Sequence, residues 1–397
     1  MKNVVITDAS RTAIGKLGGT LINENVDFLA SSVIENVLKK GKLSSSEVEE
    51  VILGQAKQSA DSSNLARVAA LRSGVPIETP AYTVHRQCGS GIQSINSAAQ
   101  QIMAGLSDVI IAGGAESMST APYYMRNIRF GLKSGNGMLL DPNTESQPGS
   151  QPYEDYGDLN MGITAENLAS KYKISRSEQD EFAFRSQENT KNAIEKGYFT
   201  EQIVPYSVKK RKETVEFTVD EHPRETSIEK LSTLKPVFKE GGSVTAGNSS
   251  GRNDAASALI IMSEDKALEL GKEPKVKIIS QASGGVRPDY MGIGPVPSTL
   301  KALKQANLKL EDIDIIELNE AFAAQSLAVI KELKMDLNKV NPNGGAIAMG
   351  HPIGATGSIL MTKLIYELER TGKRYGLVTL CIAGGMGIST IVENLKA

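Results

Sequence analysis

Apolar positions recur along this chain in two alternating periods. The run 3-NVVITDA-9 is β-branched and predicts a buried strand. In 27-DFLASSVIENVLKKG-41 the apolar residues return at helical spacing, and Lys39, Lys40 and Gly41 form a C-terminal stop. Strands are predicted again at 51-VILGQ-55 and 81-AYTV-84, a small-residue helix over 91–105, and a strand running into a glycine turn over 108–119. Toward the end, 357-GSILMTKLIYELER-370 reads as a helix and 376-GLVTLC-381 as a strand. Strands alternating with helices predict the α/β class.

Residues 120–249 break this rhythm. They hold polar, Gly- and Pro-rich loops such as 134–157, a helical pair, and the basic run 209-KKRK-212, which reads as a solvated turn. Such a stretch makes a poor core and predicts an inserted loop domain. Beyond it the opening pattern returns. At a constant offset of 265, Leu43, Val48, Val51, Leu53 and Ala56 face Leu308, Ile313, Ile316, Leu318 and Ala321. Both segments read as helix end, acidic turn and strand. The run 111-IAGG-114 recurs as 382-IAGG-385, each time read as following an apolar strand. Two matches in one order predict a duplicated α/β half, with equivalent strand ends meeting so that a site draws on both. The expected division is 1–120 with 250–272 as one half, 121–249 as the loop domain, and 273–397 as the other half.

Composition narrows the function classes. A chain of 397 residues suggests two or three domains. Its net charge of −2 argues against a dedicated nucleic-acid binder, which needs a basic surplus. No apolar run reaches about 18 residues, so no membrane span is expected. The start, MKNVVITDASRTAIG, lacks the charged-then-apolar pattern of a leader, and a cytoplasmic setting is expected.

Chemistry concentrates in the glycine-rich turns. Cys88, one of two cysteines, lies in 84-VHRQCGSG-91 between a strand and a helix start, where the dipole and free N–H groups favour thiolate. Gly89 and Gly91 are read as clearing side chains from the path of a bulky thioester; the alternative is a buried, inert cysteine. His85 is a poor partner, since a residue three positions back in an extended run need not face the thiol. His351 is the better one. It sits among Gly344, Gly345, Gly350, Gly354 and Gly357, a density read as close backbone approach by a ligand, with Pro352 at the first helical position or the turn before it. The dinucleotide and P-loop glycine spacings are absent. Cys381 ends a strand, either as a structural residue or as a second thiol at the site. Asn319 stands at a strand end, where it holds a water or a carbonyl oxygen, or caps a helix. Two thiols, an imidazole and an amide suit acyl transfer with carbon-acid chemistry, and the four-ligand spacing of a zinc site is missing.

These motifs resemble the thiolases over essentially the whole chain, most closely the acetyl-CoA acetyltransferases. The resemblance is carried by CGSG at 88–91, GGAESMS at 113–119, MGITAEN at 161–167, VTAGNSSGRND at 244–254, NEAFA at 319–323, GGAIAMGHPIGATG at 344–357 and CIAGGMG at 381–387. It implies a five-layered αβαβα fold of two duplicated halves with a loop domain inserted in the first. It also implies a ping-pong condensation of two acetyl-CoA to acetoacetyl-CoA and CoA, or the reverse. Cys88 would then carry the acyl group, His351 activate it, and Cys381 move the α-proton. Asn319, through a water, and His351 would form one oxyanion hole, the backbone N–H groups of Cys88 and Ala383 the other. Ser250 would contact pantetheine and Arg224 the nucleotide end. Met161 and Met291 would border the acyl pocket, with Phe238 and Phe322 also on the substrate. No metal and no cofactor beyond CoA as substrate are implied, and a cytoplasmic homotetramer is expected. Two positions depart from the family: Ala383 stands where it has glycine, and Asn160 where many short-chain members have histidine. A broader 3-ketoacyl-CoA thiolase is the alternative, and a non-catalytic acyl-CoA binder the non-enzyme reading. A decarboxylating ketoacyl synthase would need a histidine in place of Cys381.

Overall fold

The computed structural model describes residues 2–210 and 213–397, so Arg211 and Lys212 of the basic run lie outside the described residues. β1 (Val4–Thr12) leads through α1 (Val26–Lys40) to β2 (Glu50–Gly54), α2 (Leu65–Arg72), β3 (Ala81–Val84), α3 (Ser90–Ala104) and β4 (Val109–Ser117). The inserted stretch supplies a helical pair, α4 (Met161–Tyr172) and α5 (Arg176–Glu195), before β5 (Asn253–Ser263). The remainder runs β6 (Val276–Gly285), α6 (Pro295–Ala306), β7 (Ile315–Leu318), α7 (Ala323–Leu333), α8 (Ile353–Thr371), β8 (Tyr375–Ile382) and β9 (Met386–Asn394).

The main strands follow the order β7-β8-β9-β6-β1-β5-β4-β2-β3. Read outward from the β1/β6 seam, the two sides match: β5 with β9, β4 with β8, β2 with β7. The seam is narrow, with Val5 opposite Lys277 and Ile6 opposite Val276. Only β3 lacks a full counterpart, its place being taken by a single parallel bridge from Ile316 to Val340.

Successive strand residues point to opposite faces, and here both faces are covered, which is why the strands read as unbroken apolar runs. Val51, Leu53, Val109 and Ile111 pack under Leu29, Val33 and Val37 of α1 and Leu65 of α2. Their neighbours Ile52, Ile110 and Leu259 point the other way, onto Ile92, Ile95 and Ile102 of α3. Leu360, Leu364 and Leu368 of α8 share that core with Ile315, Val378 and Leu380 of the second half. On its far side Ile316, Leu318, Leu377 and Ile391 meet Ala302 and Leu303 of α6 and Val329 and Ile330 of α7. Helices, half-sheet, central helices, half-sheet and helices make five layers. Each fully buried Leu or Ile in them contributes about 1.5–3 kcal/mol.

The 265-residue repeat is structural. In both halves a helix ends, a 3-10 turn follows, and a strand begins. The left-handed residue that turns the chain is Lys42 (φ 48°) in one and Asn307 (φ 54°) in the other, positions equivalent in the repeat. The predicted stop at Gly41 is therefore displaced by one residue. Gly41 itself is right-handed at φ −72°; a Cβ there would sit 2.8 Å from the Ile260 Cδ1 and 3.0 Å from the Val37 carbonyl oxygen, so the glycine lets α1 end close against β5. The IAGG match is not structural. Residues 111–114 lie inside β4, which runs on to Ser117 without the expected glycine turn, whereas 383–385 form the β8–β9 hairpin.

The insertion is anchored to the core by a buried pair. Arg11 on β1 donates to both Asp220 carboxylate oxygens, at 2.7 and 3.0 Å, with neither side chain exposed. Among the described residues no helix is long and apolar enough to cross a membrane.

Candidate active site

The two central helices bring the chemistry together. Cys88 stands two residues before the first residue of α3, and His351 two residues before the first of α8. Pro352 takes the N-cap position, so α8 begins four residues earlier than its apolar pattern suggested. The helices touch backbone to backbone at these starts. A Cβ on Gly91 would lie 2.8 Å from the Ser358 nitrogen, and one on Gly357 would lie 2.4 Å from the Ile92 nitrogen. The glycines read as clearing space for a ligand thus clear space for the opposite helix. The missing side chain of Gly89 likewise faces Ile382 and Ile388.

Cys88 and His351 share a cavity of about 180 Å³. Cys88 is half-buried on its wall. Burial pushes the thiol up; the backbone N–H of Ala383, the Lys57 charge and the N–H of Cys88 itself act the other way without overcoming it. The expected pull of free N–H groups toward thiolate is present, but burial raises the thiol by more. Ala383 is not among the described residues with positive φ, while its neighbours Gly384 and Gly385 have φ 85° and 82°. The hairpin needs glycine at those two positions and not at 383, so alanine keeps the backbone N–H in place without strain.

His351 is buried, and burial pushes its ring down to about 4, leaving it neutral. Its Nδ1 lies 2.6 Å from the Thr356 hydroxyl, which donates its own proton to the Pro352 carbonyl at 2.9 Å. With that proton committed, the hydroxyl accepts from Nδ1–H. The free lone pair is therefore on Nε2, a buried atom without a protein partner. Cys381 is fully buried at the end of β8, and burial, then the neighbouring Cys88, drive its thiol far above the usual range. It belongs to an apolar cluster with Met291, Ala321 and Phe322, against which Met161 and Phe238 pack.

Asn319 follows β7, and its N–H donates to the Thr379 carbonyl on β8 at 3.0 Å. It does not cap a helix. α7 starts at Ala323 with Phe322 before it, and both polar atoms of the Asn319 amide are buried without a protein partner. A buried amide left open in this way calls for a water or ligand atom.

Ser250, Met161, Met291, Phe238 and Phe322 all line the Cys88 cavity, together with Ala383. The rings of Phe238 and Phe322 meet edge to face at 6.0 Å. Ser250 is held by its N–H to the Ala321 carbonyl at 3.0 Å. Arg224 lies apart, on a larger cavity of about 540 Å³ with Lys191 and Lys230. Its guanidinium donates to the Ala246 carbonyl at 2.9 Å, a few residues before Ser250. His85 is exposed and off the Cys88 cavity; Asn160, half-buried, is also off it, and its side chain caps α4 through the Ile163 N–H at 3.0 Å.

Sequence reasoning missed several lining residues, among them Lys57, Gln87, Asn143, Ser146 and Arg252. It also left Glu116 without a role. That buried carboxylate accepts the N–H groups of Ala56, Lys57 and Gly354 at 2.8–3.0 Å, tying the β2 end to the α8 start. An acid directly after the predicted glycine turn of 108–119 was the available signal. Among the described residues no group of three His, Cys, Asp or Glu side chains is placed to hold a metal ion.

A thiol and a neutral imidazole facing one cavity, each from the start of an equivalent helix, define a cysteine-based enzyme site. Residues 4–265 match the family model "Thiolase, N-terminal domain" and residues 272–394 the model "Thiolase, C-terminal domain". The chain belongs to the thiolase family and is an acyltransferase. It is 48% identical to an acetyl-CoA acetyltransferase of Escherichia coli, with all of both chains covered. The crystal structure of the Bacillus anthracis acetyl-CoA acetyltransferase superposes with a TM-score of 0.97 at 47% identity, covering 100% of this chain and 99% of that one. Human mitochondrial 3-ketoacyl-CoA thiolase superposes at 0.95 and 44% identity, covering 99% of each.

Proposed function

We propose that this enzyme is an acetyl-CoA C-acetyltransferase, working through an acyl-Cys88 intermediate on CoA thioesters and needing no cofactor. The observation that carries this reading is the pairing of the Cys88 thiol with the unpartnered Nε2 of His351 on one cavity.

In the cleavage direction, His351 Nε2 takes the Cys88 proton as sulfur attacks the keto carbon of a 3-ketoacyl-CoA. The backbone N–H groups of Cys88 and Ala383 receive the developing oxyanion. The C2–C3 bond then breaks, and C2 takes a proton from the Cys381 thiol, releasing acetyl-CoA. Asn319, through a water, and His351 stabilise the enolate of that step. The thiol of a second CoA attacks the acyl-Cys88 carbonyl and gives its proton to the Cys381 thiolate, while the proton on His351 returns to Cys88. Condensation is the same path reversed. The raised Cys381 thiol suits its task, because a strongly basic thiolate is what a weakly acidic carbon requires.

The broader 3-ketoacyl-CoA reading is favoured by one observation: Asn160, at the position of the short-chain histidine, is spent on capping α4 and does not close the cavity. Exposed Phe130, Met138 and Leu139 on the inserted loop suit burial by further copies of the chain, as a homotetramer would provide. Cleavage rates across 3-ketoacyl-CoAs of increasing length decide between the readings. An acetyltransferase loses at least about tenfold in kcat/KM beyond the four-carbon substrate, one or two methylenes being worth that much; a flat profile overturns it in favour of the broader enzyme.

A further inference from the structure

The Cys88 cavity has two unlike walls. One is apolar, formed by Met161, Phe238, Met291, Ala321 and Phe322. The other is polar and cationic: Lys57 from the β2 end, Asn143, Ser146 and Ser150 from the inserted loop, and Arg252 beside His351. Among the described residues no carboxylate lines the cavity, and with His351 neutral, Lys57 and Arg252 are the charged side chains that face it.

Lys57 is 7% exposed. Its ammonium donates to the Ser146 hydroxyl, and among the described residues no carboxylate forms an ion pair with it. The acids behind the wall are already engaged. Both Glu116 oxygens accept backbone N–H groups. Asp141 accepts the Asn143 N–H at 2.8 Å and makes only a loose 3.5 Å contact with Arg252. Burial pushes Lys57 below the usual lysine range and the Glu116 charge opposes this only in part, without an ion-pair contact, so an anion joining the ammonium in the cavity offsets a standing cost. Its position beside the nucleophile is independently marked by the pull of the Lys57 charge on the Cys88 thiol.

The geometry points to a substrate whose acyl chain ends in a carboxylate, a 3-keto-dicarboxylyl thioester in the cleavage direction, with that carboxylate held by Lys57 and Arg252. The phosphates of CoA are not the anion in question, because the whole pantetheine arm separates them from the sulfur at Cys88. The Ser146 hydroxyl, which accepts from Lys57, has its own proton left to donate to the same carboxylate. The inference rests on the acyl-Cys88 chemistry above and stands with the broader 3-ketoacyl-CoA reading, to which it adds a chain-end specificity.

The test compares the six-carbon 3-ketoacyl-CoA bearing a terminal carboxylate with 3-ketohexanoyl-CoA, its methyl-ended match. The kcat/KM ratio of carboxylate to methyl is expected to exceed about ten in the native enzyme and to fall about 10- to 100-fold in Lys57→Met, the worth of hydrogen bonds to a charged group. Arg252→Gln, at a side chain 40% exposed, serves as a second variant and lowers the ratio less. A native ratio at or below one, a ratio unchanged in both variants, or cleavage of acetoacetyl-CoA with neither six-carbon thioester cleaved overturns the inference alone; a native enzyme that cleaves none of the three overturns the acyl-transfer reading with it. A second arm needs no turnover: alkylation of Cys88 by anionic iodoacetate relative to neutral iodoacetamide. That ratio drops in Lys57→Met if the cation faces the thiol. Equal slowing of both reagents would mean that Lys57 only tunes the thiol, and would overturn the assignment.

Discussion

Cys88 and His351 occupy the same place in two like halves, two residues ahead of equivalent helices, yet their surroundings treat charge differently. Around Cys88 the burial that raises the thiol is opposed by Lys57 and by the Ala383 N–H. Around His351 only burial acts, and the ring is pushed to about 4 with its proton fixed on Nδ1 by Thr356. At neutral pH the pair is thus a thiol facing an imidazole, not a thiolate facing an imidazolium. The duplicated backbone supplies proximity; the side chains around each position decide where the proton sits. Cys381 extends the contrast: burial and the neighbouring Cys88 raise its thiol, and its own backbone N–H, rather than a cation, opposes them.

The largest effect separates the two cysteines. Cys88→Ala is expected to remove acyl-enzyme, seen by intact mass after incubation with acetyl-CoA, and to lower turnover by about 10⁴-fold or more. Cys381→Ala is expected to acylate normally yet lose about 10²–10⁴ in carbon–carbon bond chemistry, the contribution of a placed acid–base. If the Cys381 variant failed to acylate while the Cys88 variant succeeded, the assignment of the halves would be reversed. A smaller effect probes the second half alone: Asn319→Ala should cost about 10²–10³ in kcat with acylation retained, the usual loss for one oxyanion donor. Turnover within a few-fold of native would remove Asn319 from the site. The smallest effect concerns the β8–β9 hairpin of the second half, whose Ala383 N–H acts on Cys88. Because residue 383 lies outside the left-handed region, Ala383→Gly is expected to leave kcat within about threefold and to lower stability by about 0.4–1 kcal/mol through the unfolded chain, read from urea midpoints. A stabilised or markedly faster variant would show that the family's glycine is needed there after all.

Much of the fold was legible because its causes are local. The strand and helix periods, the 40–56 and 305–321 repeat, and the polar break after residue 120 all report what each segment must bury. The misreadings arose where one local signal has two tertiary causes. Glycine marks a ligand's approach and a neighbouring helix equally, and Gly91 and Gly357 proved to be the second kind. The IAGG pair looked like a repeat but serves one strand interior and one hairpin. Asn319 carried both a capping and a binding reading, and only its unpartnered buried amide discriminates between them.

What the sequence determined by itself was the inventory: two like α/β halves, an insertion, two thiols, and the histidine rich in glycine neighbours. These follow from periodicity and composition, which are properties of the chain alone. Tertiary structure decided the charge states and the company each residue keeps. Whether Cys88 is thiol or thiolate depends on desolvation by residues from distant segments, and Lys57 and Arg252 become neighbours of Cys88 only when β2, the inserted loop and the α8 start converge. Electrostatics in a buried cavity is a sum over three-dimensional distances, and no spacing along the chain encodes it.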